Sequence, residues 1–279
     1  MKRLFAIVFV GVVFLSLSPQ QEARAQTVDD DIYTKENIPA KEPMSYVHVR
    51  EADVMWSKKI WQMIDCRKKK NHPLYFPIEK MDDRKSLIQL LLKGIKEEGL
   101  VVYDDEQFNE PITPEEVNNV LGAGTDTVRV EQPDGSYEKK VQQSSVNYDE
   151  IKKYMIREQW YFDRKYSDLR VRVVGICPIR EYIDEDTGQK RKRKTFWVYY
   201  PAARDLLANW EVFNRENDAQ RISFDDWFRQ RRFNSFVVKE SNVYGNRRVD
   251  AYTTGINTLL EAREIRREIF QFEHDLWSY

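Results

Sequence analysis

The sequence predicts an α+β protein in which antiparallel hairpin strands pack with several helices and a long helix closes the chain. Three observations predict it. The alternating runs at Leu169–Val173 and Phe196–Tyr200 flank the turn residues Asp186-Thr187-Gly188, as in an antiparallel pair. Thr113-Pro114-Glu115-Glu116 and Ser223-Phe224-Asp225-Asp226 are helix starts. From about Thr254 to Leu276, apolar residues recur at helical spacing.

The elements follow in chain order. Lys2 and Arg3 precede an apolar run from Leu4 to Leu17 that is too short to span a bilayer, and Ala23-Arg24-Ala25 is a small-residue cleavage site. Residues 1–25 therefore read as a signal peptide, with Gln26 the first mature residue and no cysteine placed to carry a lipid. Residues 26–44, with Asp29-Asp30-Asp31 and prolines at 39 and 43, read as an extended N-terminal arm. Residues 45–279 read as one domain. The spacing of Trp56, Ile60, Met63 and Ile64 predicts a helix over residues 50–70, with Lys68, Lys69 and Lys70 at its C-terminal end and Asn71 and Pro73 stopping it. Trp61 falls off that stripe and is the candidate partner contact.

Asp82 and Asp83 open a second helix through Leu87, Leu90, Leu91 and Ile95, stopped by Gly99, and Leu100–Tyr103 is a short strand. Thr113 caps a short helix that has Pro114 in its first turn and ends at Gly122. Thr127 to Val141 is a hairpin turning at Pro133-Asp134-Gly135-Ser136. A helix is expected from about Tyr148 to Lys165. The strand from Leu169 continues through Ile179 and Ile183. Its return, Lys194 to Tyr200, is apolar on both faces and reads as a covered strand. Pro201 starts a helix bearing Leu206, Leu207 and Trp210, Ser223 caps another, and Phe236–Lys239 is the last strand. The C-terminal helix bears Ile256, Leu259, Leu260, Ile265, Ile269 and Phe272.

Composition narrows the functional classes. Beyond residue 25 the chain carries 42 basic and 45 acidic residues of mixed order, which favours no polyanionic partner such as nucleic acid. Ten glycines in 279 residues disfavour glycine-rich phosphate loops. His48 and His72 sit about 30 Å apart at the two ends of the expected helix, and the sequence holds no C-x-x-C or H-x-x-x-H pair, so no metal site is expected. A Cys66 nucleophile would need His72 as its base, but a thiol beside an apolar stripe is an inert core group. G-x-S-x-G is absent, and a two-carboxylate glycosidase leaves no local signature. Cys66 and Cys177 are either a disulfide, as an oxidising compartment permits, or two buried thiols. The basic run Lys190–Lys194 sits between Gly188 and a strand and reads as a solvated hairpin arm. No catalytic residue, cofactor or membrane span is expected; the chain is not read as an enzyme.

Longer stretches carry more. READVMWSKKIWQMID followed by NHPLYFP, then DLRVRVVGICPI, TFWVYYPAARDLLAN and NRENDAQRISFDDWFRQRRFNSFVVKESNVY, resemble in order the segments of the GldN/PorN family of the gliding-motility and type IX secretion machinery of Bacteroidetes. The resemblance spans roughly residues 45–250. It implies a periplasmic structural subunit that forms large rings with an outer-membrane lipoprotein of the GldK/PorK type and with other copies of itself. It also implies contact with a motor protein of the GldM/PorM type, in support of export of sorting-domain proteins, virulence proteases and adhesins among them. The alternative is a stand-alone periplasmic enzyme or ligand-binding protein.

Overall fold

The computed structural model describes residues 42–276 except 80, 82–83, 124, 132–136, 144–145, 185–186 and 218, and describes the backbone alone for 125–131 and 137–143. The expected signal peptide and the arm up to residue 41 lie outside the described residues. The strands are β1 (Val54–Asp65), β2 (Val102–Tyr103), β3 (Pro111–Ile112), β4 (Thr125–Glu131), β5 (Tyr137–Gln143), β6 (Ile151–Asp163), β7 (Asp168–Ile183), β8 (Lys190–Lys194), β9 (Trp197–Tyr199), β10 (Glu211–Val212), β11 (Ile222–Ser223) and β12 (Ser235–Glu240). The helices are α1 (His72–Tyr75), α2 (Leu87–Glu97), α3 (Pro114–Val120), α4 (Tyr200–Ala208), α5 (Phe224–Arg229) and α6 (Ile256–Asp275). An eight-stranded antiparallel sheet runs β12-β1-β6-β7-β9-β2-β3, with β8 paired beside β9 on β7. β4 pairs with β5 and β10 with β11 in separate ribbons. The α+β class and the long C-terminal helix are as the sequence predicts.

Two expected helices are strands. Residues 54–65 form β1 and residues 151–163 form β6, paired along nearly their whole length. Trp56, Ile60 and Ile64 are spaced by four, which puts them on one face of a helix and equally on one face of a strand. The second half of β1 is buried on both faces, so apolar residues fill positions that alternation would leave polar, and the period no longer separates the two readings. The same holds for β6, whose Tyr154, Met155 and Ile156 are consecutive and all buried. Pairing with β1 on one side and β7 on the other then fixes both as central strands.

Local signals elsewhere act as their chemistry requires. Ser86 and Gln89 form a capping box at α2, so Ser86 opens that helix. Gly99, at φ +67°, follows its last turn in a conformation that costs glycine little. Thr113 accepts from the Glu116 N–H, with Pro114 in the first turn, and the Ser223 hydroxyl accepts from the Asp226 N–H at 3.1 Å. Gly175, in mid-strand, leaves room for the Phe108 ring; a Cβ there would stand 2.7 Å from its Cζ.

Each face of the sheet is covered by the chain itself. On one face α2, α4 and α5 close a core around Ile64, Tyr154, Ile156, Ile176 and Val198. Farther along that face α6 lies over Ile60 and Val237 through Ala262, Ile265 and Ile269, and Trp56 stacks on Phe272 at 4.8 Å. The opposite face holds Trp61, Met63, Met155, Cys177, Ile179, Trp197 and Val238, under Tyr103 of β2 and Phe108 of the β2–β3 loop.

Candidate functional site

The candidate residues from the sequence do not converge. Both cysteines are free and buried. Cys66 belongs to the core under the helices and Cys177 to the cluster on the other face, so the sheet itself separates them and, of the two alternatives, they stand as two buried thiols and not as a disulfide. Burial pushes each thiol up to about 12, which keeps both protonated and unreactive. His48 is exposed in the segment before β1, while His72 begins α1 and lies 3.3 Å from the Arg67 carbonyl. Among the described residues no group of three His, Cys, Asp or Glu side chains is placed to hold a metal ion.

Trp61 requires the plainest correction. In a strand it points to the face opposite Ile60. That face is roofed, leaving Trp61 only 2% exposed. Arg157 and Lys239 lie over its ring, Lys239 at 4.2 Å from the centroid. Lys239 is tied in turn to Glu106 of the roofing loop at 2.5 Å. Trp61 is a core residue with no free face for a partner.

Two buried polar networks were not legible in the sequence. Glu158, fully buried, accepts hydrogen bonds from Gln62 Nε2 at 2.7 Å, Trp160 Nε1 at 3.0 Å and Arg231 at 2.5 Å. Asp225 takes a bidentate fork from Arg204, both contacts at 3.0 Å, and a hydrogen bond from the Tyr200 hydroxyl at 2.7 Å. Burial, then the Asp225 charge, drives the Tyr200 phenol well above its ordinary value. Carboxylates this fully engaged have little acceptor capacity left for a diffusing substrate; they join β1, β6, α4 and α5. Arg204 also stacks on Tyr46 at 4.1 Å and donates to the Met44 carbonyl at 2.5 Å, which fastens the start of the described chain to the helical side of the sheet.

The surface offers more than the interior. α6 is apolar on two sides. Ala262, Ile265 and Ile269 face the sheet, while Ile256, Leu259 and Leu260 are 75%, 52% and 53% exposed and Phe270 also faces outward. Arg263 and Arg267 share that outer side. The doubled stripe is readable in the sequence once both sides are counted. Val243 and Tyr244 are exposed before the helix. A groove of about 690 Å³ is lined by His72, Phe76, Met81, Arg84, Asp149 and Phe213. The basic run 190–194 is strand β8, exposed throughout, as the expected solvated arm requires.

Comparison with known families gives one match. The model of the family described as gliding motility associated protein GldN matches residues 49–278, which takes in the whole eight-stranded sheet and α6. No curated protein matches the chain.

Proposed function

Because the chain belongs to the GldN family of gliding-motility proteins, we propose that it is a structural subunit that forms a large periplasmic ring with an outer-membrane lipoprotein of the GldK/PorK type. The family is a structural component of the gliding and type IX secretion machinery, and among the described residues no helix is long and apolar enough to cross a membrane. The ring also meets the periplasmic part of a GldM/PorM-type motor protein and supports export of sorting-domain proteins. The chain is exported by its signal peptide and held at the outer membrane through the lipoprotein.

The observation that carries this reading is the length of the family match. The exposed outer side of α6 supports it, since contiguous exposed apolar residues on a folded domain mark association surfaces. The test is co-purification with the lipoprotein, combined with deletion of this chain. The expected results are a shared high-mass complex and sorting-domain proteins retained in the periplasm. A chain that stays monomeric beside the lipoprotein, and whose loss leaves secretion normal, overturns the reading. The alternative, a stand-alone periplasmic enzyme or ligand-binding protein, is favoured by one feature, the groove beside His72, whose volume falls within the range of small-molecule sites, about 300–1,000 Å³. It predicts secretion that is indifferent to the lipoprotein.

A further inference from the structure

Strand β8 places five consecutive cations on the surface. It pairs with β7 on one side and with no strand on the other among the described residues. Its charge is only partly offset: Arg191 meets Asp184 at 2.7 Å, and Lys192 reaches Glu181 at 4.0 Å. Lys190, Arg193 and Lys194 have no carboxylate within salt-bridge distance among the described residues. Lys153, on β6 beyond β7, already holds Glu181 at 2.6 Å and depresses the Lys192 ammonium below its usual value. An edge so charged repels an identical edge and attracts an acidic segment.

A hollow of about 260 Å³ crosses the adjoining sheet face from β8 to β12. Met63, Met155, Ile179 and Phe236 give it an apolar lining, and Lys192 and Lys194 stand among the residues around it. Asp250, on the far side, is engaged by Arg248 at 2.7 Å. The volume is below the range of about 300–1,000 Å³ usual for small-molecule sites and is of the size that one large side chain fills. The fitting ligand is therefore a peptide with several carboxylates next to an apolar or aromatic anchor.

The chain itself contains such a peptide. Asp29-Asp30-Asp31 is followed directly by Ile32-Tyr33. The described chain is fastened at Met44 by Arg204 on the helical side of the sheet, and at Val47 by Arg172 from the partly exposed stretch of β7, whereas the hollow opens on the face away from the helices. The 13 residues from Met44 back to Asp31 reach at most about 43–47 Å. A domain of this size, with a radius of gyration of about 17–18 Å, is about 45 Å across, so the arm is long enough to reach a neighbouring molecule.

We propose that this lysine-rimmed hollow is the socket for the N-terminal arm of a second copy of the chain. The three aspartates lie against the β8 cations, and Ile32 and Tyr33 enter the apolar part. The inference rests on the ring-subunit reading and names the contact that joins one copy to the next.

The test uses the purified mature protein in sedimentation velocity at low salt. Asp29→Lys with Asp30→Lys and Asp31→Lys reverses the arm; Lys190→Glu with Lys192→Glu and Lys194→Glu reverses the socket. Each variant alone should self-associate at least tenfold more weakly than the wild type with unchanged melting, and raised salt should weaken the wild type. Mixed together, the two variants should associate again, because each arm then meets a socket of opposite sign. Tyr33→Ala should weaken association without any change of charge, and it remains informative if a triple variant misfolds. Wild-type-like association of the single variants, a mixture that stays apart, or a wild-type chain that never self-associates overturns the socket. Retained co-purification with the lipoprotein and retained secretion, beside any of these results, would remove the socket alone and leave the ring-subunit reading standing.

Discussion

Trp61→Ala separates a core residue from a partner contact. The side chain is buried against Met63, Met155, Trp197 and Val238 on a roofed sheet face, and truncation leaves a cavity that its central-strand neighbours cannot collapse into. Truncating a buried tryptophan costs about 3–5 kcal/mol. For a domain of this size each kcal/mol moves the melting temperature by about 2–4 °C, so Trp61→Ala should melt about 6–20 °C lower. Trp61→Phe should cost much less. It keeps a ring beneath Lys239 and removes an indole N–H that has no hydrogen-bond partner in its buried place, a group that is itself unfavourable to bury. Differential scanning calorimetry on the purified chain reads both variants. An unchanged melting temperature in Trp61→Ala, together with loss of assembly, would refute the argument and return Trp61 to the surface.

Glu158→Gln leaves the Arg231 guanidinium facing a neutral amide at a position that is itself fully buried. Because Arg231 is partly exposed, the expected cost is about 2–3 kcal/mol, at the low end for a broken buried pair; urea denaturation measures it, and an unchanged midpoint would show the pair to be idle. Cys66 and Cys177 should show the same electrophoretic mobility after alkylation with or without reductant, since they lie on opposite faces of the sheet; a reductant-dependent shift would contradict the fold. The Arg67 guanidinium hydrogen-bonds the Asp65 carboxylate and holds it below its ordinary 3.8. Its contribution is complete above the ordinary carboxylate range and is lost as pH falls through the lowered folded value. Asp65→Asn should therefore flatten the acid limb of the stability curve below about pH 4 while changing little at its foot; an acid limb identical to the wild type would remove Asp65 from the account.

What was legible in the sequence followed the range of each signal. Caps and stops are local, so Thr113, Pro114, Ser223 and Gly99 mark element ends that the structure places nearly where the sequence does. β7 alternates along part of its length because its first half is partly exposed, and alternation is visible only when one face meets water. β6 and the second half of β1 lie in the middle of the sheet under cover on both faces, so their pattern is set by tertiary burial and reads as a helix stripe. The mistake about Trp61 follows from that one, since a residue off a helical stripe points outward, whereas the odd position of a central strand points into a second core. The cysteine pair was ambiguous for the same reason: the parity that puts Cys66 and Cys177 on opposite faces exists only once the strands are known. The Glu158 and Asp225 networks join residues 73 and 21 positions from their arginines, and no local spacing announces them.

The distribution of cover also constrains how copies of the chain can meet. Both faces of the sheet are largely closed by the chain's own helices and by the β2–β3 loop, so association is left to the margins: the outer side of α6 near β12, and the charged strand β8 with the hollow beside it. These margins differ in chemistry, one aliphatic with arginines, the other cationic around a small apolar recess. A self-complementary two-fold dimer needs a single patch that matches itself, and five cations in a row cannot match themselves. A contact between an acidic arm and a cationic socket is heterologous. Such a contact repeats from copy to copy until the rotation it imposes closes into a ring. A contact made by one short peptide segment fixes which copy follows which without fixing that rotation. The curvature of the ring then has to come from a second, stiffer contact. The outer stripe of α6, held on the sheet by Ile265, Ile269 and the Trp56–Phe272 stack, is the rigid apolar surface left to supply it.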